Sequence, residues 1–179
     1  MKGKITVQKI VFLGVLLALY LVLNEVSKML SLPLGSNLRI GLTFLPVVCA
    51  AILFGPVEAA IVGGLGDMLG AFLFPTGPFF PGFTLTAVLT GLIHGFFLRK
   101  KVTIPRLLLS FGIVQFVCGM LLNTLWLSIL YGKAFLVYLP GRATQAAVSF
   151  VVECVLTYIL NLVLFQRLKK MVHKPSHKR

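Results

Sequence analysis

The chain consists of apolar segments separated by short breaks that are rich in glycine, proline and charged residues. Six such segments cover residues 8–30, 41–54, 57–74, 83–98, 107–131 and 142–166. A helix of about 20 apolar residues crosses the roughly 30 Å hydrocarbon core of a bilayer, where only helices and closed barrels satisfy the backbone. The pattern predicts a single all-α polytopic membrane domain of six transmembrane helices, followed by a basic tail over residues 167–179. The second segment is short, and Phe54-Gly55-Pro56 is expected to form a tight turn between it and the third.

The composition argues against a soluble domain. Hydrophobic residues make up 58% of the 179 residues and charged residues 12%, whereas soluble domains average about 45–50% and about 25%. A net charge of +13 would suggest a nucleic-acid partner in a soluble protein, but a surface this apolar predicts none. Six membrane helices also leave no room for an appended catalytic domain.

The positive charges are distributed unequally between the two ends of the predicted helices. Thirteen of the seventeen Lys and Arg residues fall on one side, together with both termini. The positive-inside rule then predicts that both termini are cytoplasmic, where the basic tail can touch anionic headgroups of the lipid bilayer. Four cations fall on the outer side: Lys28, Arg39, Lys133 and Arg142.

Two carboxylates are predicted to lie near the middle of the membrane. Asp67 follows Pro56 by eleven residues, and Glu153 follows Arg142 by eleven, which is about 16 Å along a helix. An ionisable group at this depth costs a few kcal/mol and needs a partner or a function. Glu58 differs, because it lies in the first turn of a helix at the interface, where a carboxylate is stabilised by the helix dipole. We interpret Glu58 as structural.

Several other polar and aromatic side chains leave alternatives open. Glu25 and Lys28 are three residues apart and can pair with each other. The loop over residues 74–82 is stiffened by three prolines, so that Phe79 and Phe80 suit either an interfacial aromatic belt or stacking on a ligand. Trp126 and Tyr131 suit the same two roles, an interfacial belt or stacking on a ligand. Asn123 is predicted to lie deeper and needs a hydrogen-bond partner.

Small residues predict two close helix contacts. The third segment carries Gly63, Gly64, Gly66 and Gly70, a surface on which another backbone can approach closely. The first segment carries Gly14 and Ala18 at small-xxx-small spacing, which suits internal packing or contact with a second membrane protein.

Motifs for catalysis are missing from the sequence. It contains no H-E-x-x-H, no G-x-S-x-G and no G-x-x-x-x-G-K-[ST]. Cys49, Cys118 and Cys154 lie in separate apolar segments, which predicts buried small side chains rather than a disulfide or metal site. A binding protein without a metal or cofactor therefore fits better than an enzyme.

A long stretch resembles the S components of energy-coupling factor (ECF) transporters. It runs from Phe44 to Pro75 and contains F-G-P at residues 54–56 and G-D-M-L-G at residues 66–70. The continuation P-F-F-P-G-F-T at residues 78–84 and the stretch 121–132 are similar in particular to the folate-specific members. The resemblance extends over residues 10–166 and includes the six-helix layout.

The resemblance implies a vitamin-binding subunit in the plasma membrane of a bacterium, with its site open to the outside. Such a subunit would act with a membrane coupling protein and two ATP-binding cassette subunits, which supply the ATPase activity. Members commonly contact the coupling protein through an Ala-x-x-x-Ala pair on the first helix. Gly14 and Ala18 stand at the matching positions, with glycine in place of the first alanine.

Folate chemistry, implied by the resemblance, can be compared with these residues. The N–H donors of a pterin suit Asp67 and Asn123, its flat rings suit aromatic side chains, and its anionic glutamate suits the outward cations. The candidate binding residues are Glu25, Lys28, Arg39, Asp67, Phe79, Phe80, Phe83, Thr84, Asn123, Trp126, Tyr131 and Arg142.

Three other functions stay open at this point. The same scaffold can bind another vitamin, such as riboflavin, thiamine or pantothenate. A secondary transporter driven by protons would use Asp67, His94 and Glu153. An intramembrane enzyme is the third, although no nucleophile–base pair is visible for it.

Overall fold

The computed structural model describes residues 7–29, 41–75, 77–100, 102–132 and 134–165. This part of the chain is helical and contains no strand, which confirms the predicted all-α class for the residues described. The helices are α1 (Val7–Met29), α2 (Phe44–Leu53), α3 (Pro56–Leu73), α4 (Pro81–Leu98), α5 (Ile104–Tyr131) and α6, which is built from Phe135–Leu160 and Asn161–Phe165. The predicted basic tail, residues 167–179, lies outside the described residues.

Within the described ranges, five helices are long and apolar enough to cross a membrane: α1, α3, α4, α5 and the Leu139–Val163 portion of α6. The sixth, α2, has only 10 residues, which is about 15 Å of helix and about half of a hydrocarbon core. Every residue of α2 except Leu45 is buried. The short helix therefore forms the centre of the core, and the longer helices surround it.

The turn between α2 and α3 forms where the sequence predicts it. Gly55 has a φ of 121°, a conformation that glycine adopts without a steric cost, and Pro56 begins α3. The N–H groups of Phe54 and Gly55 both donate to the carbonyl of Ala50, at 2.9 and 3.2 Å. Glu58, in the first turn of α3, forms an ion pair with Lys9 of α1, which agrees with a structural role.

The glycines of α3 allow its backbone to lie directly against α4. A methyl group on Gly63 would stand 2.7 Å from the carbonyl oxygen of Ala87, and one on Gly95 of α4 would stand 2.1 Å from Cα of Pro56. These pairs also show that the two helices run antiparallel. Gly66 likewise allows α1 to pack closely against α3, because a methyl group added at Gly66 would stand 2.5 Å from the Tyr20 ring. The predicted close contact is confirmed, with α4 and α1 as the partners.

The last two helices depart from regular α-helical geometry. In α5, the α-helical portions Ile104–Ile113 and Asn123–Tyr131 flank a π-helical stretch, Val114–Leu122. Such π-helical stretches are rare and occur frequently at functional sites.

The last helix, α6, begins at Phe135 rather than at the predicted residue 142. The prediction took Pro140 and Gly141 as a break. Pro140 instead lies near the start of the helix, where it removes only one backbone hydrogen bond and the remaining turns keep theirs.

Candidate ligand-binding site

A cavity of about 270 Å³ lies within the bundle, and each of the six helices contributes to its lining. Its polar lining residues are Tyr20, Thr43, Asp67, Thr86, Thr90, His94, Gln115, Asn123 and Glu153. Its other lining residues are Gly41, Phe44, Val47, Gly63, Phe83, Ala87, Val114, Cys118 and Gly119. A concave, mainly apolar space with a few converging polar groups is the usual form of a small-molecule site.

One face of α4 forms a continuous side of this cavity. Phe83, Thr86, Ala87, Thr90 and His94 all line it, and their spacing of three and four residues places them on one helical face. Eleven residues separate the first from the last, which corresponds to about 16 Å of helix. The cavity is therefore a deep slot that runs along α4.

Asp67 is held in the cavity wall by the neighbouring helix. Its Oδ2 accepts a hydrogen bond of 2.8 Å from the hydroxyl of Thr84, and the carboxylate is partly buried. The glycine contact between α3 and α4 brings these two residues to the same level. Asn123 of α5 lines the same cavity, so the two residues predicted to accept or donate to a ligand ring share one space.

Glu153 is a second carboxylate in the lining, and its partner comes from α5. Its Oε2 accepts a 2.8 Å hydrogen bond from the side-chain amide of Gln115, which lies in the π-helical stretch. The lining thus holds two carboxylates, and no Lys or Arg from the described residues joins them. Acceptor oxygens without a basic partner suit a ligand that presents N–H groups.

Aromatic side chains close one end of the α4 face. Trp126 donates from Nε1 to the hydroxyl of Thr86 at 2.9 Å, and its ring lies 5.6 Å from that of Phe80. Phe80 in turn contacts Phe83 edge-on at 6.1 Å, and Phe83 lines the cavity. The predicted aromatic residues Phe80, Phe83 and Trp126 therefore form one cluster beside the polar lining.

Other candidate residues lie away from this lining. Phe79 is 41% exposed and pairs with Phe72 at 5.0 Å, while Tyr131 is 55% exposed at the end of α5. Both positions suit an interfacial aromatic belt.

Two of the four outward cations form contacts with other protein groups, and the other two lie outside the described residues. Lys28 pairs with Glu25 at 2.5 Å and donates to the carbonyl of Phe74 at 2.9 Å. Arg142 donates to the Gln145 side chain at 3.4 Å. Arg39 and Lys133 lie outside the described residues. Lys28 and Arg142 do not belong to the cavity lining. The contact predicted between the outward cations and an anionic ligand tail stays a prediction.

The sequence did not single out several of the lining residues. Tyr20, Thr43, Thr86 and Thr90 belong to the cavity but were not predicted for the site. A signal for two of them was present, because Thr86, Thr90 and His94 recur at intervals of four and form a polar stripe on an otherwise apolar helix. Tyr20 carried no such signal, since one tyrosine in an apolar helix is an ordinary packing residue.

Of the three cysteines, Cys118 lines the cavity. Within the described ranges no group of three His, Cys, Asp or Glu side chains is arranged to hold a metal ion. Cys49, Cys118 and Cys154 are unpaired and buried.

A bundle of apolar helices around a mainly apolar cavity with a few converging polar groups is the architecture of a membrane protein that binds a small molecule. The chain belongs to the S-component family of ECF-type transporters, since the family model for the "ECF-type riboflavin transporter, S component" matches residues 4–170. This membership places it among transporter subunits rather than enzymes.

Two relatives and one solved structure show the similarity within this family. A folate transporter FolT of Clostridium novyi (strain NT) is 43% identical over 122 residues, which are 68% of this chain and 71% of that protein. A folate transporter FolT of Leuconostoc mesenteroides subsp. mesenteroides is 28% identical over 178 residues, covering 94% and 93% of the two chains. A structure described as FolT bound with folic acid superposes with a TM-score of 0.77 at 34% identity, over 89% of this chain and 98% of that one.

Proposed function

We propose that this chain is a folate-binding S component that captures folate from outside the cell and delivers it inward. The observation that carries the proposal is the Asp67–Thr84 pair in the wall of a cavity to which all six helices contribute. The folic-acid-bound FolT structure of the same fold and the two FolT relatives support folate as the ligand.

The chemistry of the lining fits the pterin end of folate better than its glutamate end. A pterin presents neighbouring N–H groups, which Asp67 and the carbonyl of Asn123 can accept. Phe83 offers a ring face to a flat heterocycle, and such contacts contribute about 0.5–1.5 kcal/mol beyond burial. An anionic glutamate would meet two carboxylates and no described cation in the lining. The pterin therefore enters first, and the glutamate remains toward the outer side of the membrane, the side on which the sequence predicts the cations Arg39, Lys133 and Arg142.

In this proposal, other proteins supply the energy for releasing folate into the cell. The sequence has no phosphate-binding loop, so a membrane coupling protein and two ABC ATPase subunits supply ATP hydrolysis. The charge distribution favours cytoplasmic termini in a bacterial plasma membrane. With this orientation the aromatic end of the cavity faces outward.

The surface of α1 supports contact with the coupling protein. Gly14 and Ala18 are both exposed, and nothing lies within 4 Å of the position that a methyl group on Gly14 would occupy. Val11, Val15 and Val22 extend the same exposed apolar surface. A glycine in such a surface allows a second helix to approach closely.

Ligand binding to the purified chain tests the proposal. Isothermal titration with folic acid should show saturable binding at one site, and ATP should leave the dissociation constant unchanged. Riboflavin is the second candidate ligand, because the matching family model is described by that vitamin. Saturable riboflavin binding without folic acid binding would reject the folate assignment and leave the family membership intact.

A proton-driven secondary transporter is a second candidate function with its own observation. Asp67, His94 and Glu153 all line the one cavity, so a proton path and a ligand would share a space. Proteoliposomes that contain this chain alone distinguish the two mechanisms. Folate uptake driven by a pH gradient without partner subunits would contradict the S-component mechanism, whereas uptake only after the energising subunits are added supports it.

A further inference from the structure

The short stretch that leads into α2 forms part of the cavity wall and is attached to α1. Gly41 and Thr43 line the cavity, and Leu42 between them is half-buried. The backbone N–H of Leu42 donates a 2.8 Å hydrogen bond to Oγ of Ser27 on α1, across 15 positions of the chain. A serine hydroxyl therefore joins α1 to the wall of the cavity.

The second hydrogen bond of Ser27 fixes the direction of its hydroxyl. Ser27 donates to the carbonyl of Leu23 at 2.7 Å, a bond that serine commonly makes to the carbonyl four residues earlier in its own helix. With its proton engaged there, Oγ presents lone pairs to other donors, and the N–H of Leu42 occupies one of them. Ser27 is only 8% exposed, so water competes little for this position.

The start of α2 does not anchor itself. Thr43 directly precedes the helix, but its side chain makes no capping hydrogen bond to the helix backbone, which is the usual role of a threonine at this position. The Thr43 side chain interacts instead with the hydroxyl of Tyr20. Tyr20 and Ser27 are seven residues apart and thus share one face of α1. This face holds the stretch 41–43 at two points, one on its backbone and one on a side chain.

The attachment lies at the aromatic end of the cavity. Lys28, the neighbour of Ser27, donates to the carbonyl of Phe74 at the end of α3. The loop that follows Phe74 carries Phe80, which belongs to the aromatic cluster with Trp126. In the orientation of the proposed function, this is the end through which folate enters and leaves.

We propose that Ser27 is a positioning residue for the ligand site, which holds residues 41–43 in the cavity wall and thereby slows the release of bound folate. The proposal rests on the proposed function. Ser27 is not among the described lining residues, so it acts through Gly41 and Thr43. A wall that is already ordered before the ligand arrives does not have to be ordered on binding, and affinity rises because this cost is avoided.

Two substitutions at position 27 test the role of the hydroxyl. Ser27→Ala removes it, whereas Ser27→Thr keeps an oxygen that can still bond to the carbonyl of the preceding turn. We expect Ser27→Ala to raise the dissociation constant of folic acid about 3- to 10-fold, mostly through faster release, and Ser27→Thr to stay within about twofold of the parent. Release of tritiated folic acid into an excess of unlabelled folic acid measures the rate.

Thr144→Ala is the matched control for loss of a helical hydroxyl. Thr144 is exposed on α6, and its hydroxyl donates to the carbonyls of Pro140 and Gly141 in the same helix. The variant should release folic acid at the parent rate.

Hydrogen exchange of the Leu42 amide reads the contact directly. Measured by mass spectrometry with residue-level fragmentation, this exchange should be at least about tenfold faster in Ser27→Ala than in the parent, since the amide loses its acceptor. Saturating folic acid should slow it in the parent and in Ser27→Thr. The amide of Val48, in the buried centre of α2, is the reference, because a general loosening of the helix would raise its exchange as well.

The outcomes separate this proposal from the proposed function. If the parent chain binds no folate, the proposed function fails, while Leu42 exchange in parent and Ser27→Ala still tests the contact without a ligand. Equal Leu42 exchange in these two proteins overturns the proposal. A folded Ser27→Ala protein that releases folic acid at the parent rate, or a Ser27→Thr protein that releases it as fast as Ser27→Ala, also overturns it.

The unmodified protein covers the case in which Ser27→Ala does not fold. Leu42 exchange at the rate of an unstructured peptide would reject the hydrogen bond to Ser27. A rate that saturating folic acid leaves unchanged would reject the positioning role.

Discussion

The hydroxyl of Thr84 donates a hydrogen bond of 2.8 Å to Oδ2 of Asp67, which joins α4 to α3 at the cavity wall. The bond fixes the orientation of the carboxylate and uses one of its acceptor positions. Both oxygens keep further acceptor positions for the N–H groups of a ligand. The strongest test of the site is therefore the removal of this carboxylate.

We predict that Asp67→Ala raises the dissociation constant of folic acid about 10- to 100-fold, the usual effect of losing a hydrogen bond to a charged group. Isothermal titration of the purified proteins measures it. Glu58→Gln is the control, because that carboxylate pairs with Lys9 and does not belong to the cavity lining. A folded Asp67→Ala protein with the affinity of the parent would remove Asp67 from the site.

Trp126 should report ligand binding by its fluorescence. It is the single tryptophan of the chain, and its bond to Thr86 places it beside the cavity. Folic acid is expected to quench its emission, with the same dissociation constant that calorimetry gives. In Trp126→Phe the signal disappears, and calorimetry should show binding weakened about 3- to 10-fold through the lost aromatic contacts and the unpaired Thr86 hydroxyl. Unchanged emission of the parent protein at saturation would place the ligand elsewhere.

Gly95→Ala should destabilise the bundle. Its added methyl group would stand 2.1 Å from the backbone of Pro56, so α3 and α4 must separate, and overpacking of this kind costs about 1–3 kcal/mol. The gain in helix propensity of about 1 kcal/mol does not offset a displaced backbone contact. A lower midpoint of thermal unfolding in detergent measures the effect. Gly14→Ala, with nothing within 4 Å of the added methyl group, is the control and should unfold at the parent temperature or above.

Arg39→Ala should weaken binding of folic acid, whose glutamate is a dianion, about 3- to 10-fold, and weaken binding of pteroic acid, which keeps a single benzoate carboxylate, by less. The reason is electrostatic, so the difference between the two ligands should shrink at high salt. Lys28→Met is the comparison, because its ammonium group is already engaged by Glu25 and the Phe74 carbonyl. Equal losses for folic and pteroic acid would refute a role for Arg39 at the glutamate.

Gly14→Leu should separate binding from transport. A large side chain in the middle of the exposed α1 surface would prevent close approach of a partner helix, while Gly14 does not belong to the cavity lining. We expect an unchanged dissociation constant for folic acid together with a loss of ATP-dependent uptake in cells that contain the energising subunits. Val151→Leu, an exposed position on α6, is the control and should transport normally. Full uptake by Gly14→Leu would place the partner contact on another surface.

The helices themselves could be predicted closely from the sequence. Each membrane helix satisfies its own backbone hydrogen bonds, so its position depends on a local run of apolar residues and its boundary on local glycine, proline or charge. The exception is α6, where Pro140 was taken for a boundary but lies inside the helix. The short α2 was also recognised as an apolar segment, although its place at the centre of the core was not.

The candidate site could be predicted only in part. Asp67 and Asn123 were chosen because polar groups at membrane depth need a partner, and Phe83 was chosen because an aromatic ring suits a flat ligand. All three line the cavity. Lys28 was chosen as an outward cation for the anionic glutamate, yet its charge is used in a contact between α1 and the end of α3. The position of a side chain along its helix follows from the sequence, but the direction in which the side chain faces does not.

The sequence by itself therefore predicted a lipid environment, the number of apolar segments and the position of each polar residue along its helix, since these depend on local composition. Only the tertiary structure decided which polar side chains meet. Gln115 and Glu153 bond across 38 positions of the chain, and His94 meets Ser110 on another helix. Such pairs depend on the rotation of each helix about its axis. That rotation is set by close contacts such as Gly63 against Ala87, which exist only when all the helices are packed together.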